Sequence, residues 1–349
     1  MAWTFFLKST FLITILFLFF YLILFFEKLQ LYFVQKTFVS GGRRGLPRFT
    51  FFPNIFKALS KNTHSKAKLD QDLSLVLSLM SLLFSIFPYF VIPFFSKEAM
   101  NGFIISEIFH SPLPILVFLL SFLLGLFPQL IEAWLCGEVS SYLSTFRQFL
   151  WRLTSFLVLF LLVLSCILIY KTPEIHSIIA QQEQPFLGSL PSWGIFTQPL
   201  GAMIFIALIA LYFSGKGYYG LSTTKESDLL LGKYKHNDAL SFYIFKLSDH
   251  FCYMGLIFLF VFLYLGGYSP LFYFEQNISS SLGLPLFQTF SLFIKVGITH
   301  CIIFWGLLSV PNLKWNLFVK LPLTVFFPLS ICNLIMTLLW IYTYKDVSL

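Results

Sequence analysis

Charge is what this chain has least of. Of its 349 residues only 11% are Asp, Glu, Lys or Arg, against about 25% in an ordinary soluble domain. So few charges cannot wet the surface of a folded protein of this length, which excludes a fold with water on every side. Paired cysteines are also lacking. Cys136, Cys166, Cys252, Cys301 and Cys332 lie far apart and form no C-x-x-C pair, so neither a zinc nor an iron–sulfur site is supported. They read as small polarizable packing residues. The histidines are equally scattered; His300, inside an apolar run, suits a buried hydrogen-bonded side chain better than a proton relay. There is no G-x-x-x-x-G-K-[ST] and no G-x-S-x-G. Any chemistry must come from a partner subunit or a lipid-soluble cofactor. No internal repeat is evident, which argues against transporters built from repeats.

What the chain has is apolar length. Hydrophobic residues make up 58% of it and 47 residues are Phe. They come in unbroken runs, not in the stripes of a soluble amphipathic helix. A hydrocarbon core of roughly 30 Å takes about 20 apolar residues as helix, because backbone groups in lipid must be paired within the segment. The runs predict an all-α, polytopic membrane helix bundle of about eight spans, in one domain over 1–349, near 9–26, 73–95, 112–135, 153–170, 197–214, 239–267, 286–309 and 322–343. The first run is followed by Glu27, Lys28 and Leu29 with no small-residue cleavage site, so it reads as a mature helix rather than a signal peptide.

Basic residues set the orientation. With the amino terminus outside, the inward segments are 27–72, 136–152, 215–238 (extended to 246 by the first turns of span six) and 310–321. They hold nine, two, five and two basic residues, 18 of the chain's 23. The net charge of +8 therefore reports topology, not nucleic-acid binding. Segment 27–72 reads as a structured inward loop, with Gly41, Gly42, Arg43, Arg44, Gly45 and Pro47 and a short amphipathic piece around Phe49 to Leu59. Glu226, Asp228 and Asp249 fall on or beside one inward loop, with Glu27 and Arg147 at other inward helix ends. Acids at this depth are costly unless they face a cavity or a partner. Facing acids and bases at the inward ends of a bundle suit a narrow amphipathic chamber. Blander readings stand beside that one. Glu226 and Asp228 also fit solvated loop charges or a docking surface, and Asp249 fits a dipole-complementing acid in the first turns of a helix. Glu27 fits plain membrane anchoring, and Arg147 with Arg152 fits positive-inside retention.

Four stretches resemble one family, the quinone-site membrane subunit of respiratory complex I, which is the H-type subunit in bacteria and subunit 1 in mitochondria. The run VPNLKWNLFVKLPLTVFFPLSICN, Val310 to Asn333, resembles the family's closing L-P-R-x-R-Y-D-Q and W-K-x-x-L-P-L pattern. Pro311, Pro328, Leu329 and Asn333 match, and Lys314 replaces an Arg. YLGGYSP, Tyr264 to Pro270, resembles L-G-G-W-x-x-P. Glu226 to Leu229 fall on the family's E-S-E-L, and Asp249 on the Glu of A-E-Y. After the first span, Glu27, Lys28, Gln35 and Lys57 fall on family positions. More weakly, Trp134 and Arg147 fall on its G-W and L-R. Departures accompany these matches: YGLSTT replaces P-F-D-L-P, Phe156 and Ser214 replace acids expected in spans, Asn54 and Asn316 replace Asp, and Thr37 replaces an Arg.

The resemblance implies a membrane-arm subunit of a proton-translocating NADH:quinone oxidoreductase. It implies quinone, ubiquinone or menaquinone, as the substrate, with no metal or flavin held by this chain. Glu27, Gln35, Arg147, Glu226, Asp228 and Asp249 would line the quinone chamber or a proton path, with Lys57 and Lys314 at docking surfaces. Partners would be the iron–sulfur hydrophilic arm and antiporter-like membrane subunits, in a bacterial inner or mitochondrial inner membrane. The lost acids leave open a second reading, a non-pumping anchor of a hydrogenase-type complex. An unrelated transporter is a third, with no substrate motif behind it.

Overall fold

The structure is a computed structural model, and it describes residues 71–90, 93, 114–137, 139–186, 190–214, 239–269, 283–309 and 320–343. The elements run α1 (Gln71–Ile86, closed by a 3-10 turn at Phe87–Phe90), α2 (Pro114–Leu124), α3 (Phe127–Leu135), α4 (Val139–Tyr170) and α5 (Ile175–Gln182). A two-residue antiparallel pair, β1 (Pro185–Phe186) with β2 (Leu190–Pro191), leads into α6 (Gly194–Thr197) and α7 (Pro199–Ser214). After them come α8 (Ala239–Tyr264), α9 (Gly283–Ser309) and α10 (Phe327–Thr343), the last entered through a π turn at Pro322–Phe326.

The chain is thus a multi-pass membrane helix bundle. Among the described residues, six stretches are long and apolar enough to cross a bilayer: Asp72–Tyr89, Ile115–Leu135, Ser141–Tyr170, Leu240–Tyr264, Phe287–Gly306 and Pro322–Thr343. They coincide with six of the expected spans. The run at 197–214 forms a shorter apolar helix, and the run at 9–26 lies outside the described residues. Two details differ from the sequence reading. The run 112–135 is two helices, α2 and α3, parted at Gly125 and Leu126. Pro128 at the start of α3 cannot donate a backbone bond to the preceding turn. The connector 136–152 is helical from Val139, so α4 is 32 residues long, about 48 Å. It holds together because its polar residues Ser141, Ser144, Thr145 and Arg152 turn into the bundle, while Val139, Leu143, Phe146 and Leu150 face out. A run-length reading takes such a polar stretch for a loop.

α8 is the central pillar. Every residue from Cys252 to Tyr264 is buried, the signature of a helix surrounded by others on all sides. α1 packs along it with a polar stripe at Ser74, Ser78, Ser81 and Ser85, all buried, at the 4-3-4 spacing of one helix face. Small hydroxyl residues let two backbones approach closely where lipid supplies no hydrophobic drive between helices. α10 is the opposite case: its large side chains, Met336, Leu339, Trp340 and Tyr342 among them, are exposed, as a lipid-facing helix requires.

Candidate functional site

The described residues contain one strongly charged centre, inside the bundle where α1, α2, α3, α4, α7 and α8 meet. Asp249 sits in the third turn of α8 and Arg152 in the fourth turn of α4, and both are buried. Arg152 Nη2 donates to Asp249 Oδ1 at 2.8 Å and to the Tyr212 hydroxyl at 2.7 Å. Its Nη1 donates to the Phe122 carbonyl at 3.3 Å and reaches Cys252 Sγ at 3.9 Å. The guanidinium also lies over the rings of Phe122 and Tyr212, 5.3 and 5.2 Å from their centroids. Such cation–π contacts strengthen when water is excluded.

Gln129 of α3 extends the cluster, donating to Ser81 Oγ at 3.0 Å and to Asp249 Oδ1 at 3.4 Å. From Ser81 a hydroxyl ladder continues to Ser248 at 2.8 Å, from Ser248 to Ser85 at 2.6 Å, and on to Cys252 Sγ at 3.3 Å. Glu132, one turn beyond Gln129, is buried and accepts from the Ser74 hydroxyl. Beside the ladder, Ser85, Phe118, Ser121, Phe122, Phe251 and Cys252 line a cavity. It has room for about one water.

Of the residues predicted from sequence, Asp249 lies at this centre. Arg147 is described too: it is half-buried on α4, five residues before Arg152 and so about 140° round the helix from it. Glu27, Gln35, Glu226, Asp228, Lys57 and Lys314 lie outside the described residues. Arg152 and Gln129 are among the partners of Asp249; neither they nor Glu132 were named as site residues from the sequence. A signal did exist: Gln129, Glu132 and Arg152 are polar residues within stretches apolar enough to span, where the cost of burial implies a partner. Phe156, where an acid was expected, is half-buried against the core and stacks on Phe160.

A second polar centre ties the far end of α8 to α9. Lys295 is buried, and its Nζ donates to the Gly267 carbonyl at 3.1 Å, the Ser269 carbonyl at 2.6 Å and Ser269 Oγ at 3.1 Å. It stands 4.7 Å above the Trp193 ring. The YLGGYSP stretch makes those carbonyls available, because Gly266 and Gly267 take φ of 72° and 52°, a region open to glycine at little cost. A cation at a helix C-terminus also complements the helix dipole. Between the two centres, His300 is buried and shares a 2.8 Å hydrogen bond between its Nδ1 and the Tyr253 hydroxyl. Among the described residues, no group of three or more His, Cys, Asp or Glu side chains is close enough to hold a metal.

Residues 7–338 match the family described as NADH dehydrogenase. The chain is similar to the H subunit of the NADH-quinone oxidoreductase of Bdellovibrio bacteriovorus, 24% identical over 241 residues, covering 63% of this chain and 62% of that protein. A protein of the same description from Bacillus cereus strain B4264 is 23% identical over 207 residues, covering 59% and 56%. One from Bacillus thuringiensis strain Al Hakam matches to the same extent. The matched region therefore spans less than two thirds of the length of these relatives.

Proposed function

The chain belongs to the NADH dehydrogenase family, the group of complex I membrane subunits of type H or 1, and on that premise we propose that it forms part of a quinone-binding chamber at the junction with a hydrophilic arm. In this reading it is a membrane-arm subunit of a proton-translocating NADH:quinone oxidoreductase, in a bacterial inner or mitochondrial inner membrane, and is not catalytic alone. Quinone is the substrate. An iron–sulfur arm and antiporter-like membrane subunits are the partners.

The observation that supports this best is the buried Arg152–Asp249 centre within the spans. Polar groups at such depth are expensive and mark functional or assembly sites by default. Glu27, Gln35, Arg147, Glu226 and Asp228 would join Asp249 as chamber or proton-path residues, with Lys57 and Lys314 holding the arm. A quinone tail would enter between spans, and its head would meet these groups. Charge formed on reduction would then act on neighbouring carboxylates. Purification from native membranes tests the reading: the chain should come out with iron–sulfur and antiporter-like subunits, and the complex should reduce quinone. Isolation alone or as a homo-oligomer, with no quinone reduction, would overturn it. Glu226→Gln should lower proton translocation or quinone reduction, and an unchanged variant removes Glu226 from the site.

Phe156 favours a second reading, a non-pumping anchor of a hydrogenase-type complex. Apolar packing occupies the position where the family resemblance expects an acid. Quinone turnover without proton translocation would select this alternative.

A further inference from the structure

Of the two roles open to Asp249, chamber wall and proton carrier, we infer that this chain has given up the second: Arg152 is a fixed counter-ion that takes Asp249 out of proton traffic and makes it a positioning residue between α4 and α8. The inference rests on the function proposed above. It begins from the chemistry of the guanidinium, which keeps its proton under all protein conditions and offers five donors in a rigid fork. Here that fork is engaged on both nitrogens: Nη2 by Asp249 Oδ1 and Tyr212, Nη1 by the Phe122 carbonyl and Cys252.

The cage explains why the pair is static. Arg152 is flanked by the Phe122 and Tyr212 rings, and Tyr212 is itself held against Trp151, 5.3 Å between centroids. Asp249 is gripped from the other side by Gln129, whose amide is anchored on Ser81. To carry a proton, the carboxylate would have to neutralise beside a cation that can neither leave nor neutralise with it. A buried charge stripped of its partner is strongly unfavourable. A carboxylate passing protons needs the reverse, a neighbourhood whose charge can change. Phe156, one turn beyond Arg152 on α4, packs an apolar ring there, and Glu132, the other buried carboxyl of the cluster, accepts from Ser74 one turn of α3 beyond Gln129.

The test replaces the pair with neutral groups of similar shape, Arg152→Gln with Asp249→Asn, in the intact complex. Quinone reduction and protons moved per electron pair are measured against the unaltered complex in the same vesicles. A fixed counter-ion predicts that the double variant moves as many protons per electron pair as the unaltered complex, whatever its rate of quinone reduction; a variant that does not turn over is decided by the spectra below. An active double variant with a clearly lower proton yield overturns the inference while leaving the proposed function standing. An unaltered complex that reduces no quinone overturns both. Should the double variant not assemble, Asp249→Glu keeps the pair, and infrared difference spectra of the oxidised and reduced complex decide. A protonated-carboxyl band that shifts between Asp249→Glu and the unaltered complex would overturn the inference; the absence of any such band is the result expected.

Discussion

Asn333 on α10 donates through Nδ2 to Ser165 Oγ on α4 at 3.0 Å, a bond that joins two helices 168 positions apart in sequence. Ser165 and Gln198 complete the junction, with Ser165 Oγ donating to Gln198 Oε1 and Gln198 Nε2 to the Ser165 carbonyl, each at 3.0 Å. α7 can come this close because Gly201 has no side chain; a Cβ there would stand 2.8 Å from the Tyr264 hydroxyl and 3.1 Å from Asn333 Nδ2. The buried residues of α10 are Ser330, Asn333 and Thr337, so this helix turns its polar face inward and its apolar face out. In lipid that is the economical arrangement, since apolar side chains gain nothing by meeting one another instead of acyl chains.

Removing the Asn333 amide should therefore loosen α10. Asn333→Leu is expected to cost about 1–2 kcal/mol, the range for a buried hydrogen bond whose partner is left behind. Ser165→Ala should cost at least as much, because it strips contacts from both Asn333 and Gln198. Unfolding in mild detergent, followed by denaturant titration, measures both. Unchanged midpoints would mean that apolar packing alone seats α10.

The Lys295 clamp makes a second prediction. Gly267→Ala would force a Cβ to 2.6 Å from Phe262 and 2.7 Å from Ile179, at a φ of 52°. A strained backbone of this kind costs about 1–3 kcal/mol before the clash is counted. Lys295→Met keeps the length of the side chain but deprives the Gly267 and Ser269 carbonyls of their donor, and should destabilise by about 1–3 kcal/mol. Thermal unfolding of the two variants and of their combination tests whether turn and lysine act as one unit. Additive losses would show that they do not.

The ion pair makes a third. Arg152→Met and Asp249→Asn should each destabilise by about 3–5 kcal/mol, because each leaves a buried charge alone. The double variant should lose much less than their sum. Unfolding midpoints of the singles and the double give the coupling directly. A double variant as unstable as the summed singles would show that the two charges do not depend on each other.

The spans were legible because bilayer thickness imposes a length and unbroken apolarity announces it: Leu240–Tyr264 and Phe287–Gly306 sit where their runs put them. The partner of Asp249 was not legible. Arg147 and Arg152 are equivalent to a charge count, and both fit an inward connector. Only the continuation of the helix back to Val139 turns Arg152 into the bundle and sets Arg147 some 140° away. The serine stripe of α1 carried a readable signal, four hydroxyls at 4-3-4 spacing, and it marks the face that meets α8. Gln129 and Glu132 needed the break at Gly125, which no run length reports.

Orientation gives the last prediction. We propose from the positive-inside asymmetry that the amino terminus lies outside, which would put the turn after α5 on the outer side and segment 215–238 on the inner. Gln184 is exposed in that turn, so Gln184→Cys offers an outer reporter, and Lys233→Cys an inner one. In sealed right-side-out vesicles a membrane-impermeant maleimide should modify Gln184→Cys at once and Lys233→Cys only after permeabilisation. The unaltered chain, with its five cysteines, sets the background. The reverse pattern would invert the topology, moving the Arg152–Asp249 centre to the half of the bilayer away from any inner-side electron donor. Simultaneous labelling in sealed vesicles would remove the odd number of crossings between α5 and residue 233, and a quinone chamber at the inner ends of these helices would lose its physical basis.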